Sequence, residues 1–314
     1  MKRRINNCIN FVFCFILLFC FTKAKASELW LQDIPVNRLQ ELYKQCNYEG
    51  IRGYLMLPSH QYPMIFLKNI PQNYDKITDE AERNALFIKI VAPLALKLNQ
   101  EILIERKQIE NIETKFHNGK KLSKKDINLL EEKAKKYDVF TRLKDTSRYS
   151  LLISELLKRI DQIPPSITIT AAAIDTNWGT SQSIRQTNSL YKAYVWYTNN
   201  GLKPTGEKED TSYRLKVYPD LYASIKDFAL KLNSQRAFEM MRVMRSERRQ
   251  VGDQNPGFLM APYIYGYSPL PNYAGLFDYT LAYYELLEID KSTLVDNMIT
   301  EAIAKNFDLY KVKK

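Results

Sequence analysis

The sequence predicts an α+β protein that is predominantly helical, with one small antiparallel sheet. Three observations carry this. Apolar residues at helical spacing dominate the first half, an alanine-rich apolar run follows a Pro-Pro pair, and two aromatic, β-branched runs flank a polar turn. The first half begins with residues 27–75, which show only short apolar pieces broken by Pro58, Pro63 and Pro71. Asp79, with Glu82 three residues on, then reads as a capping box. Leu86, Ile90, Val91, Leu94, Leu98 and Ile102 follow as a single helical stripe, in which Pro93 is expected to produce a kink. Further helices fit 124–136 and 148–161; the lysine-rich stretches between 115 and 136 read as solvated faces.

The second half opens at Pro164-Pro165, the second proline being suited to a helix's first turn. Ile167 to Ile174 carries Ala171-Ala172-Ala173 at its centre, and so reads as a buried helix rather than a strand. Residues 190–198 and 212–218, separated by Asn199-Asn200-Gly201 and a charged stretch at 206–210, predict a hairpin or three-stranded sheet. Asp220 is placed to cap a helix through Ile225, Phe228, Ala229 and Leu232, and helices near 235–249 and 273–288 complete the pattern. The chain divides into a leader at 1–26, a helical region at 27–145, a domain at 146–290 and a C-terminal tail at 291–314.

The leader has Lys2, Arg3 and Arg4, an apolar run from Ile9 to Phe21, and Ala24-Lys25-Ala26 at its end. That is the pattern of a cleaved secretory signal, too short for an ordinary membrane span. Membrane attachment is expected only through an uncleaved leader. Removing its five basic residues lowers the net charge from +11 to +6, too mild to call nucleic-acid binding. Cys8, Cys14 and Cys20 leave with it, so Cys46 has no internal disulfide partner. With two histidines in the chain, a three-His metal centre is excluded, and His60 and His117 have no nucleophile motif near them. No Gly-rich phosphate loop is present. No metal and no cofactor are expected.

Chemistry concentrates at Asp175-Thr176-Asn177-Trp178-Gly179-Thr180. An apolar wall beside a carboxyl disfavours its charged form and raises its pKa, as suits a general acid. An Asp at a helix end also serves as a cap or turn residue. This segment resembles the active-site stretch of bacterial glucosaminidase domains, in which Glu-Ser-Gly-Trp-Gly-Thr-Ser follows an alanine-rich helix. The resemblance is to the Bax-type branch. It starts at Arg159-Ile160-Asp161-Gln162-Ile163-Pro164-Pro165-Ser166 and runs through Trp178-Gly179-Thr180-Ser181. Asn188 with Leu190-Tyr191, Asn200-Gly201-Leu202-Lys203-Pro204, Tyr218, Ser224, Asn233, Ala237-Phe238 and Arg242 follow in order, and Tyr267-Ser268 and Tyr273-Ala274 close it.

The resemblance covers about 146–288 and implies a lysozyme-like fold, an exported enzyme of the periplasm or cell envelope, and peptidoglycan glycan strands as substrate. The family's catalytic Glu falls on Asp175, whose carboxyl is one methylene shorter. Asn177, Ser189 and Lys192 are further departures at the cleft, so a catalytically impaired glycan-binding protein is the alternative. A second carboxylate is implied on the loop between the strands, where Glu207, Glu209 and Asp210 stand, Glu207 being favoured slightly. Tyr273 and Tyr267 match tyrosines that line the family's site, and Asn188 and Tyr191 match its Asn-Leu-Phe segment. Trp178 is expected to wall the acid. Trp196 fits sugar contact and core packing equally well.

Overall fold

The computed structural model of the chain describes residues 28–49, 60–198, 200–204, 212–253 and 257–312. A helix of 38 residues, α2 (Glu80–His117), is the axis on which the rest is built. Asp79 accepts a hydrogen bond from the Glu82 N–H, as expected of an N-cap. The reciprocal half of the expected box is not made, because the Glu82 carboxylate instead takes a hydrogen bond from Gln40 at 2.6 Å. A complete box forms at Ser123 and Asp126, which start α3 (Lys124–Lys136). The long helix continues through Pro93, and its buried stripe packs against α4 (Ser147–Arg159), α5 (Pro165–Thr176) and α7 (Leu221–Ser234).

Residues 28–49 and 60–76 are more ordered than their patterning suggests. They form β1 (Leu29–Leu31), α1 (Val36–Gln45), β2 (Gln61–Pro63) and β3 (Ile65–Leu67). β1 pairs in parallel with β3, and β2 pairs in parallel with β6 (Thr293–Val295). Two parallel pairs therefore accompany the antiparallel pair of β4 (Tyr194–Trp196) and β5 (Tyr213–Leu215), to which Leu202 adds a bridge at Leu215. Three-residue strands are too short to show a period of two, and parallel partners leave no turn signature between them. After β6 come α11 (Glu301–Lys305) and a fully buried Phe307, and Leu31 bridges to Lys311. One apolar core thus runs from Leu29 to Phe307.

The remaining helices are α6 (Gln182–Thr187), α8 (Glu239–Gln250), α9 (Gly257–Met260) and α10 (Tyr273–Tyr283). The helix expected to reach 288 stops at Tyr283, since Glu285 is left-handed and a 3-10 turn follows. Asp220 caps α7 through the Ala223 N–H, as the sequence indicates. No described helix is long and apolar enough to cross a membrane.

The polar interior fixes where α5 begins. Arg245 on α8 is buried and donates to the carbonyls of Lys158, Arg159, Asp161 and Gln162 and to Asn233 Oδ1. Arg249 holds the Asp161 carboxylate, and Asn99 on α2 pairs with both backbone groups of Ile163. Pro164 offers no side-chain cap, so Asp290 supplies one across the core, accepting from the N–H and hydroxyl of Ser166, both at 2.8 Å. Burial nevertheless pushes the Asp290 carboxyl up to about 7.

Candidate active site

Asp175 stands in the last turn of α5, a helix that Pro165 starts and whose middle is apolar and buried on all sides. The helix ends because Asn177 and Trp178 both take left-handed backbone angles, φ 48° and 55°, followed by Gly179 at φ 78°. Gly179 is required on two counts. A Cβ there meets Phe87 at 3.0 Å and Tyr74 at 3.2 Å, and the backbone angle is one that side chains disfavour. We expect Gly179→Ala to cost about 1–3 kcal/mol and to displace the turn, read as a lower melting temperature together with weaker binding or turnover of glycan. An unchanged melting temperature would show that the turn absorbs the methyl group.

The Asp175 carboxyl is largely withdrawn from solvent. Its Oδ2 accepts from the Lys192 N–H at 2.9 Å, and its Oδ1 is buried without a hydrogen-bond partner. Burial pushes its pKa up to about 6, opposed by the Lys192 N–H and by the Lys192 and Lys231 charges. The C-terminal end of α5 acts in the same sense as burial, since its carbonyls disfavour a negative charge. A cleft of about 100 Å³ opens beside it, lined by Ser183, Thr187, Ser189, Tyr191, Lys192, Tyr194 and Leu215 among others.

Tyrosines surround the acid. Tyr273, the first residue of α10, and Tyr267 both interact electrostatically with Asp175, and both hydroxyls are buried without a partner. Two phenols and one carboxyl oxygen thus stand with unused hydrogen-bonding capacity in one neighbourhood, an arrangement that costs stability unless something uses it. Tyr191 is held more firmly. Its ring stacks on Phe228 at 4.0 Å and its hydroxyl donates to the Thr168 carbonyl. The Lys231 ammonium lies 5.5 Å from the centre of the Tyr267 ring.

Other expected site residues fall elsewhere. The Trp178 indole packs on Phe87 and Tyr284, at 5.9 and 4.4 Å, and is not among the residues lining the cleft beside Asp175. Asn188 ends α6 in a left-handed conformation and donates to the Tyr218 carbonyl, joining α6 to the chain after β5. Glu207, Glu209 and Asp210 lie outside the described residues.

Trp196 is 58% exposed. Strand alternation puts it on the same face of β4 as Tyr194, and the register sets Tyr213 opposite it and Leu215 opposite Tyr194. Tyr194 and Leu215 line the cleft, while Trp196 lies 5.4 Å from Tyr213 farther out. An aromatic surface therefore continues from the acid along the hairpin. The sequence reading did not single out Tyr194. Its signal was the i, i+2 spacing with Trp196 on a short strand. Among the described residues, no group of three or more His, Cys, Asp or Glu is arranged to hold a metal ion.

Residues 152–286 match the glucosaminidase family model, described as mannosyl-glycoprotein endo-beta-N-acetylglucosaminidase. The protein bax of Escherichia coli (strain K12) is 26% identical over 193 residues, 59% of this chain and 64% of that protein. The match thus spans less than two thirds of that relative's length. The crystal structure of the catalytic domain of the autolysin Auto from Listeria monocytogenes is similar at 17% identity and a TM-score of 0.30, over 59% of this chain and 86% of that one. Asp175, the tyrosines around it and the aromatic hairpin all lie inside the matched segment. Residues 152–286 thus resemble a glucosaminidase domain, within a mostly helical chain that is similar to bax.

Proposed function

We propose that the protein is an exported hydrolase that cleaves the β-1,4 bond after N-acetylglucosamine in peptidoglycan, with Asp175 as the proton donor. One observation carries this reading: a buried carboxyl with a pKa near 6, one oxygen held by the Lys192 N–H and the other unpartnered, beside a cleft in the family domain. A group poised there is part-protonated near neutral pH and can deliver its proton to a leaving glycosidic oxygen. The hydrogen bond from Lys192 fixes the carboxyl's rotation, leaving Oδ1 to carry the proton. Tyr273 and Tyr267, whose hydroxyls are buried outside the cleft lining, reach an acetamido group or the attacking water only by turning toward the cleft when glycan binds. Tyr194, Trp196 and Tyr213 give ring faces on which successive sugars stack. The ionised partner that supports the oxocarbenium-like transition state comes from the β4–β5 connection, with Glu207 first in order of preference. The leader directs the protein across the membrane to the envelope.

The shortened acid favours one rival reading, a glycan-binding protein that keeps the aromatic surface without turnover. Purified protein is incubated with peptidoglycan and released fragments are followed by mass spectrometry. Reducing-end N-acetylglucosamine is expected from wild type, and more of it from Asp175→Glu, which advances the carboxyl by about 1.5 Å. Binding without release in both proteins would establish the rival. N-terminal sequencing of protein recovered from the envelope checks cleavage after Ala26.

A further inference from the structure

A second, larger cleft of about 470 Å³ lies between α2, the end of α3 and α7. Its apolar part is formed by Leu98, Ile102, Ala229 and Leu230. Its charged lining carries both signs: Lys136, Lys216 and Lys226 with Glu101, Glu105 and Asp227. Lys136 pairs with Glu105 at 2.6 Å and Lys216 with Asp227 at 2.9 Å. The Tyr137 and Tyr218 hydroxyls donate to the same two carboxylates. Lys226 is exposed and forms no ion pair among the described residues; its ammonium sits 5.2 Å from the centre of the Tyr222 ring.

Three features define what such a cleft accepts. Its size is that of small-ligand sites. Three carboxylates in the lining repel a polyanion, and three ammoniums repel a polycation. The phenols are already committed through their hydroxyls, so neutral sugars find little to engage. A short peptide with free carboxylates matches the lining, because Lys226 is the lining cation without an ion pair among the described residues and the apolar part receives the peptide's side chains. Position adds to the argument. Leu215 lines the cleft at Asp175, and Lys216, Val217 and Tyr218 line the larger one, so the extended segment 215–218 is their common wall. Leu98, Glu101, Ile102, Glu105, Lys136 and Tyr137 come from outside residues 152–286, so the family domain alone does not build this cleft.

We infer that this cleft binds the short peptides borne by the wall glycan, so that residues 80–137 select for glycan that still carries them. The inference rests on the peptidoglycan reading above. Lys226 takes a peptide carboxylate, and Glu101, half-exposed in its pair with Lys97 at 3.3 Å, takes the peptide's side-chain amine on its open side.

The test uses the N-acetylated tetrapeptide L-Ala-γ-D-Glu-L-Lys-D-Ala, titrated calorimetrically into the full protein. Turnover is measured in parallel on peptidoglycan and on the same glycan stripped of its peptides. Wild type is expected to bind the tetrapeptide, Lys226→Glu to bind it about tenfold more weakly, and Lys226→Arg to retain it. Lys226→Glu should also raise KM for peptide-bearing glycan and leave turnover of stripped glycan unchanged. A tetrapeptide that does not bind, or binds wild type and Lys226→Glu equally, overturns the site even if both glycans are cleaved. Binding sensitive to Lys226 with neither glycan cleaved supports the site and refutes the hydrolase reading instead. Lys226 is exposed, so unchanged melting temperatures in both variants are expected to accompany these results.

Discussion

Asp175→Asn is expected to lower the rate of glycan release by on the order of 10²–10⁴-fold, the usual contribution of a general acid, while making the protein more stable. Both effects follow from one environment. Burial holds the Asp175 pKa near 6, against 3.8 for an ordinary aspartate. The folded protein therefore binds this proton more tightly than the unfolded chain does. The group's contribution is fully present below about pH 4 and is lost as pH rises through 6, because above that the fold must bury a charge. Asparagine carries no such charge. The variant should match wild type in melting temperature near pH 4 and exceed it at pH 7, by about 1–2 kcal/mol once partial solvent screening is allowed for. The wild-type rate should decline above about pH 6 as the acid loses its proton. Cleavage by Asp175→Asn at the wild-type rate would remove Asp175 from the mechanism. A stability difference independent of pH would show that the carboxyl is better solvated than its surroundings imply.

The largest expected loss of stability is at Arg245→Ala. Its guanidinium is 1% exposed and serves the carbonyls that end α4, the loop before α5, and Asn233. Truncation leaves these acceptors buried without donors and opens a cavity the size of a long side chain. The cost should be about 3–5 kcal/mol, a fall in melting temperature on the order of 10 °C for a protein of this size. Lysine should recover little, since one ammonium cannot span acceptors on two sides of a planar fork. Urea unfolding followed by circular dichroism measures this, and a loss below about 1 kcal/mol would mean that water replaces the arginine. Because Asp161, Gln162 and Ile163 lead directly into Pro165, the variant should also loosen α5 and with it the acid at its far end.

The helix that carries Asp175 was legible because its signals are local: a proline in the first turn, a small-residue apolar core, and Asn-Trp-Gly at the exit. Asp79 and Asp220 were legible as caps for the same reason. What escaped depends on partners far away in the chain. Glu82 was assigned to a box on its spacing, but tertiary packing brings Gln40 within reach and takes the carboxylate away. β2 and β6 are more than 220 residues apart, and nothing in three residues announces such a partner. Tyr194 was one aromatic among 21 tyrosines until the strand register set it between the acid and Trp196. The Trp178 indole faces Phe87 and Tyr284 because two successive left-handed residues reverse the chain, and residue order alone does not give that direction.

The bridge between Leu31 and Lys311 has a mechanical meaning. Gln32 N–H donates to the Tyr310 carbonyl and Val312 N–H to the Trp30 carbonyl, so β1 and the segment 310–312 are laced together. Tension applied between residues 30 and 312 falls on this lacing and bypasses α5.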